Sequence, residues 1–425
     1  MLQFWLFSNV VLCPFKAVVG GLSVWLNVPL LLLAAIIWLA VKRSLRIRSA
    51  KIMLLLLSLL MLSILISRAG PCDDGVAKAA VTMPVMVALV LVGCEVGFRA
   101  ANTEWLKLQQ TALACLFLAY AAFFVEMAMP AWFPDKEPYR RVGRYSGLFQ
   151  EPSEAAFTLF PCIAVLLVAE NKKMRWAGRI ALVGLLALSR SSTLIALFAA
   201  WILYRVVVGR RIGTGALVAV ASVALVALAA VINYDSWVQP TASRVAGIFQ
   251  ADKTTGLSSL VYLQGWQDMW ANLTRTHGLG LGFNMMGCHP LPDVSSRELL
   301  SVGGFGELNA DDGSFPFSKT VSEFGIVGIA FYCGVVWWWL QLEKRIRREK
   351  PVADPAAIIQ AALIFCFVTS SFIRGGSYFS GALLLWVVAA SGAAKSGLLL
   401  TSKRRARRRR LGPSPTDSCG NIECA

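Results

Sequence analysis

Apolar runs of about 16 to 23 residues, enough to cross a hydrocarbon core of about 30 Å at 1.5 Å per residue, recur along nearly the whole chain. They predict helices over 3–20, 24–41, 52–67, 78–97, 108–128, 154–169, 178–190, 192–208, 213–232, 318–340, 355–373 and 379–397. The expected fold class is an all-α polytopic membrane protein with about twelve transmembrane helices and a large outer loop that contains short helices. Two of the runs are irregular. Pro14 and Lys16 interrupt the first, and 178–190 is short for a span and ends in "LSRSS" (188–192). The stretch 178–208 therefore reads as a hairpin whose tip is sheltered by protein inside the membrane.

The polar segments between the runs are unequal. Loops on one side are short, whereas the other side carries a medium loop, 129–153, and a large one, 233–317. Within the large loop, "SLVYLQGWQDMWANL" (259–273) places Leu260, Leu263, Trp266, Met269, Trp270 and Leu273 at spacings of three and four. That describes an amphipathic helix lying on the membrane surface or roofing a cavity. It is followed by "HGLGLGFN" (277–284), which reads as a tight turn or as backbone amides brought close to an anion. Residues 1–402 form the expected membrane domain, and 403–425 a basic tail expected to be disordered.

Composition agrees with a membrane protein: 57% of residues are hydrophobic and 15% charged. The net charge of +17 would suit nucleic acid, but the positions of the lysines and arginines argue against that partner. With both termini cytoplasmic, the blocks at 42–51, 171–179, 209–211, 343–350 and 403–410 all fall inside, as the positive-inside rule requires. The first apolar run lacks the basic flank and small-residue cleavage site of a signal peptide and is expected to stay as an anchor. Cys72 and Cys288 fall in outer loops, where an oxidising compartment would let them pair or leave them as separate thiols.

Candidate chemistry faces outward, where the loops are large. The chain has no P-loop, HExxH, GxSxG or DxD motif, so neither ATP, zinc nor a nucleotide-sugar donor is expected, and no cofactor is implied. What remains are arginines and carboxylates at helix ends, among them Arg144, Glu151, Arg190, Arg275, Glu323 and Arg374. Ionisable residues beside apolar segments are expensive and are functional candidates by default. On the residues alone, Arg190, Glu323 and Arg374 read equally as structural ion pairs. Guanidinium forks match diphosphate oxygens, so an arginine cluster at the outer surface suggests a polyprenyl diphosphate headgroup.

The run R-x-S-G-x-F-x-E-P-S, Arg144 to Ser153, resembles a motif of the O-antigen polymerase and ligase superfamily of bacteria. "LSRSSTLIALFAAW" (188–201), "GLGLGFN" (278–284) and "FSKTVSEFGIVG" (317–328) match further segments in the same order. Together these cover roughly the middle half of the chain, and the order is more specific than any one piece. The resemblance implies a metal-independent glycosyltransferase in the bacterial inner membrane with a periplasmic active face, acting in O-antigen or exopolysaccharide biosynthesis. It would transfer a growing undecaprenyl-diphosphate-linked oligosaccharide to a second lipid-linked repeat unit. Its partners would be that lipid-linked glycan and membrane lipid, with room for a chain-length regulator and a flippase. Arg144, Arg190, Arg374 and Arg275 are the expected diphosphate clamp, and Glu151, then His289 and Glu323, the candidate bases. The ligase branch carries a histidine where this chain has Ser314, which favours polymerisation; an O-antigen ligase and a lipid-linked-glycan flippase or transporter are the alternatives.

Overall fold

A computed structural model of the chain describes residues 1–12, 16–19, 22–25, 27–42, 57–62, 73–136, 140, 143–208, 257–288, 313–348, 354–374 and 378–395. Their regular elements are helices apart from one hairpin. In chain order they form α1 (Leu2–Leu12), β1 (Lys16–Val19), β2 (Leu22–Trp25), α2 (Asn27–Lys42), α3 (57–62), α4 (Asp73–Arg99) and α5 (Asn102–Ala128). Then come α6 (Pro152–Leu167), α7 (Lys172–Ser189), α8 (Ser192–Val208), α9 (Leu257–Arg275), α10 (Pro316–Phe324), α11 (Ile326–Arg348), α12 (Pro355–Ile373) and α13 (Gly381–Lys395).

Among the described residues, four helices are long and apolar enough to cross a membrane: Val76–Arg99, α5, α11 and α12. The helices α1, α6, α8 and α13 are shorter and also apolar. The predicted span 213–232 lies outside the described residues, as do parts of the stretch 233–317 and all of the basic tail.

The centre of the bundle is α6. It is apolar on every side, and its residues from Ala155 to Leu166 are almost all buried, as expected of a helix enclosed by other helices. It packs against α5, α7, α8 and α12. Helix α12 is similarly enclosed, with Ile359, Leu363, Ile364 and Phe367 buried, and Phe365 stacks on Tyr204 of α8 at 4.6 Å.

Helix ends sort into two groups. The amide of Tyr145 donates to Leu188 O at 3.0 Å and Arg374 bonds Glu151, so the start of α6, the end of α7 and the end of α12 meet. At the opposite end, Asn102 Nδ2 donates to Asp354 Oδ2 at 3.1 Å and Lys395 Nζ to Ala100 O at 3.1 Å. The basic residues Lys172 and Lys173 at the start of α7 and Arg345, Arg347 and Arg348 at the end of α11 belong to that second end.

Three expected elements differ. The first apolar run leaves its helix at Leu12 and enters an antiparallel hairpin in which Lys16 pairs with Trp25 and Val19 with Leu22; a proline N–H is missing at position 14, so a helical ladder cannot run through. The run 318–340 is two helices, because Gly325 (φ 58) breaks it between α10 and α11. In α9, Trp270 points outward at 67% exposure, while Gln264, Asp268, Asn272 and Thr276 are buried. The side turned toward the protein therefore carries a polar row at every fourth position, in addition to Leu260 and Met269.

Candidate functional site

The loop 143–151 is shaped by two glycines in the left-handed region, Gly143 (φ +65) and Gly147 (φ +61), where a Cβ would strain the backbone. It lies against the turn between α7 and α8. Beside the Tyr145–Leu188 bond, Arg144 Nε donates to Ser189 O at 3.4 Å. That turn is made by Arg190, itself left-handed at φ 44, a conformation costly for a residue with a Cβ. The Arg190 guanidinium covers Gly143 so closely that a Cβ there would fall 2.9 Å from Nη1. Loop and turn thus bring Arg144 and Arg190 to one place.

The loop ends at Glu151, the residue preceding the first turn of α6, with Pro152 in the first helical position where a missing N–H is harmless. Ser153 Oγ donates to Glu151 Oε2 at 2.9 Å, and Arg374 Nη2 donates to the same oxygen at 2.6 Å. Arg374 follows the last turn of α12 in an extended conformation, its amide bonded to Ser370 O at 3.0 Å. The Glu151 and Arg374 side chains keep 40% and 32% of their surface, so the pair is reachable from outside the protein. The open helix terminus adds positive potential at Glu151.

Glu323 is placed differently. Its Oε2 accepts Tyr378 Oη at 2.6 Å and the Asn284 amide at 2.9 Å, and its Oε1 lies 3.2 Å from Lys319 Nζ. Both members of that ion pair are enclosed, at 2% and 0% exposure. Burial first, then the Glu323 charge, push the Tyr378 phenol well above its usual pKa, which keeps it a donor. A carboxylate held this way by two hydrogen-bond donors and an enclosed ion pair fixes structure, and of the two glutamates it is Glu151 that faces outward.

What Glu323 fixes is the glycine turn. The Gly280 amide donates to Thr276 Oγ1, Leu281 N to Ser322 O, Gly282 N to Glu323 O and Ile326 N to Gly278 O, at 2.8 to 3.0 Å. The turn plugs the break between α10 and α11, so the tight-turn reading of "GLGLGFN" applies: the amides of Gly280, Leu281, Gly282 and Asn284 are bonded within the protein.

Arg275, at the end of α9, directs Nη2 to Asn272 Oδ1 at 3.1 Å, and no described contact brings it to the loop 143–151. His289 lies outside the described residues, as does Cys72, so the alternatives of pairing with Cys288 or a separate thiol fall outside them too. Ser314 is left-handed at φ 65, beside α9 at Gly265, and its buried Oγ has no hydrogen-bond partner among the described residues. Among the described residues, no group of three or more His, Cys, Asp or Glu is placed to hold a metal ion.

Two residues of the site are missing from the sequence-based set. Glu126, buried near the end of α5, accepts the amides of Ser146 at 2.9 Å and Gly147 at 2.7 Å on Oε2. Lys136 donates to Gly147 O; burial pushes its pKa down and the Glu126 charge pulls it back up. An acidic residue inside an apolar run is the signal that marks Glu126.

An apolar cavity of about 310 Å³ is bounded by Met86 and Val90 of α4, Phe331 and Tyr332 of α11, and Leu383 and Trp386 of α13, with Lys319 and Tyr378 of the Glu323 cluster also on its wall. Tyr332 packs edge-on against Phe372, centroids 5.7 Å apart, and Phe372 lies two residues before Arg374. Comparison with protein-family models and with curated protein sequences finds no match for the chain.

Proposed function

We propose that the protein is a polysaccharide polymerase, a metal-independent glycosyltransferase of bacterial inner membranes that extends an undecaprenyl-diphosphate-linked glycan on the periplasmic side. The observation that carries this reading is the outward-facing Glu151–Arg374 pair, closed at 2.6 Å between residues far apart in sequence, with Glu151 on the same loop as Arg144, a loop whose first residue, Gly143, is covered by Arg190. On this reading the guanidinium groups stabilise charge that develops on the leaving diphosphate. Glu151 orients or deprotonates the acceptor hydroxyl, and Arg374 holds Glu151 in place. The apolar cavity next to Phe372 offers space for part of a prenyl chain. The arrangement of helix ends favours the periplasmic assignment, since the basic residues of α7 and α11 belong to the end opposite the site.

A ligase would use the same donor with another acceptor, and Ser314 speaks for polymerisation because a lone serine hydroxyl is a poor base near neutral pH. A strain lacking the protein tests the choice. It should still make single repeat units, attached to acceptor or accumulated on undecaprenyl diphosphate, and lose long chains. Long polymer retained on the carrier, with only its final attachment missing, would make the protein a ligase.

A further inference from the structure

The loop 143–151 packs Tyr145, Leu148 and Phe149 against the core. Phe149 is buried, and a Cβ on Gly147 would touch the Phe123 ring at 3.2 Å, but Arg144 and Glu151 project from a stretch that makes no helix or strand of its own. Its backbone is tied down at either side by Tyr145 N to Leu188 O and Gln150 N to Glu154 Oε2, and between those points it is held by two charged side chains. Glu126 takes the consecutive amides of Ser146 and Gly147, and Lys136 takes the carbonyl of Gly147. Glu126 is fully buried in the apolar second half of α5, a placement too expensive to keep without partners that use the carboxylate. One carboxylate oxygen makes both bonds; among the described residues Oε1 makes no hydrogen bond, and neither does Ser146 Oγ.

We infer that Glu126 is a positioning residue for the diphosphate clamp: through the Ser146 and Gly147 amides it sets the loop from which Arg144 and Glu151 reach the substrate. This rests on the function proposed above only for the identity of the substrate. The geometry also separates reach from charge. A glutamine at 126 keeps an oxygen in the same place to accept both amides, whereas an aspartate keeps the charge but withdraws it by one methylene. A purely electrostatic role would rank Glu126→Asp above Glu126→Gln, and a positioning role ranks them the other way.

The test is amide hydrogen–deuterium exchange of residues 143–151 in the full-length protein in nanodiscs, alongside binding of undecaprenyl diphosphate and kinetics of chain extension. In Glu126→Asp and Glu126→Ala, exchange at 143–151 should rise about tenfold or more while α6 and α12 stay protected, because two charge-assisted bonds are lost. Binding of undecaprenyl diphosphate should weaken in step, raising KM for the donor. Glu126→Gln should restore both to near the wild-type level. If Glu126→Ala does not fold, the Asp and Gln variants carry the comparison alone. Unchanged exchange in Glu126→Asp, or a Glu126→Gln variant as defective as Glu126→Ala, would overturn the inference. Raised exchange in a protein whose wild type does not bind undecaprenyl diphosphate would leave the positioning role standing and sink the substrate assignment.

Discussion

Replacing Gly325 with alanine should unfold the region that joins the glycine turn to α10 and α11, and the size of the effect follows from what the new methyl meets. Gly325 has φ +58, where a residue with a Cβ is destabilised by about 1–2 kcal/mol. The Cβ would lie 1.9 Å from Gly278 O and 2.6 Å from its carbonyl carbon. Those are backbone atoms, so the turn itself has to retreat by more than 1 Å rather than a side chain swinging away. That retreat pulls apart the Ile326–Gly278, Leu281–Ser322 and Gly282–Glu323 backbone bonds, each contributing about 1 kcal/mol. A loss of about 4–5 kcal/mol results, a large fraction of a domain's stability. Thermal unfolding of the detergent-solubilised protein, followed by tryptophan fluorescence and size-exclusion profile, measures it. Gly143→Ala is the internal comparison: its φ is +65, but the obstacle is the tip of Arg190 at 2.9 Å, which can move. That variant should remain folded and lose activity through the displaced guanidinium. A Gly325→Ala protein that melts with the wild type would refute the reasoning.

Lysine at Arg144, Arg190 or Arg374 keeps charge and loses the planar fork, so each variant should insert normally and lose extension activity by about tenfold or more in a ladder assay. Full activity in all of them would remove the clamp. The two glutamates should separate by readout. Glu323→Gln strands the enclosed Lys319 ammonium and should cost about 3 kcal/mol or more in thermal stability, whereas Glu151→Gln, at a half-open pair, should leave the unfolding midpoint near wild type and abolish extension. Matching stability losses in both variants would contradict the division of roles.

The sequence reveals most of the described helices because their apolar runs are long, as in α4, α5 and α12, whose observed bounds bracket or match the expected ones. It hides the break in 318–340, because the apolar character resumes immediately after Gly325 and only the left-handed backbone, invisible in composition, divides the run. The same limitation applies to α9: the apolar residues at spacings of three and four draw attention, yet the row Gln264, Asp268 and Asn272, continued by Thr276 just past the helix, is equally periodic and is buried along with Leu260 and Met269. At the site, Arg144 and Glu151 are legible from their shared motif, and Arg190 from the polar tip "LSRSS". That Arg374 closes on Glu151 follows from packing across the bundle, which no local pattern encodes. Glu126 is hidden for a different reason: a single carboxylate near the end of an apolar run looks like a span boundary until the amides it accepts are seen.

The central claim is tested most directly by incubating the purified full-length protein with undecaprenyl-diphosphate-linked repeat units and resolving the products on a gel. A ladder of lengthening glycans should form with the wild-type protein and fail to form with Arg374→Lys or Glu151→Gln protein of normal stability. Unextended repeat units after incubation with folded wild-type protein, or a single transfer to lipid A-core with no ladder, would contradict the claim.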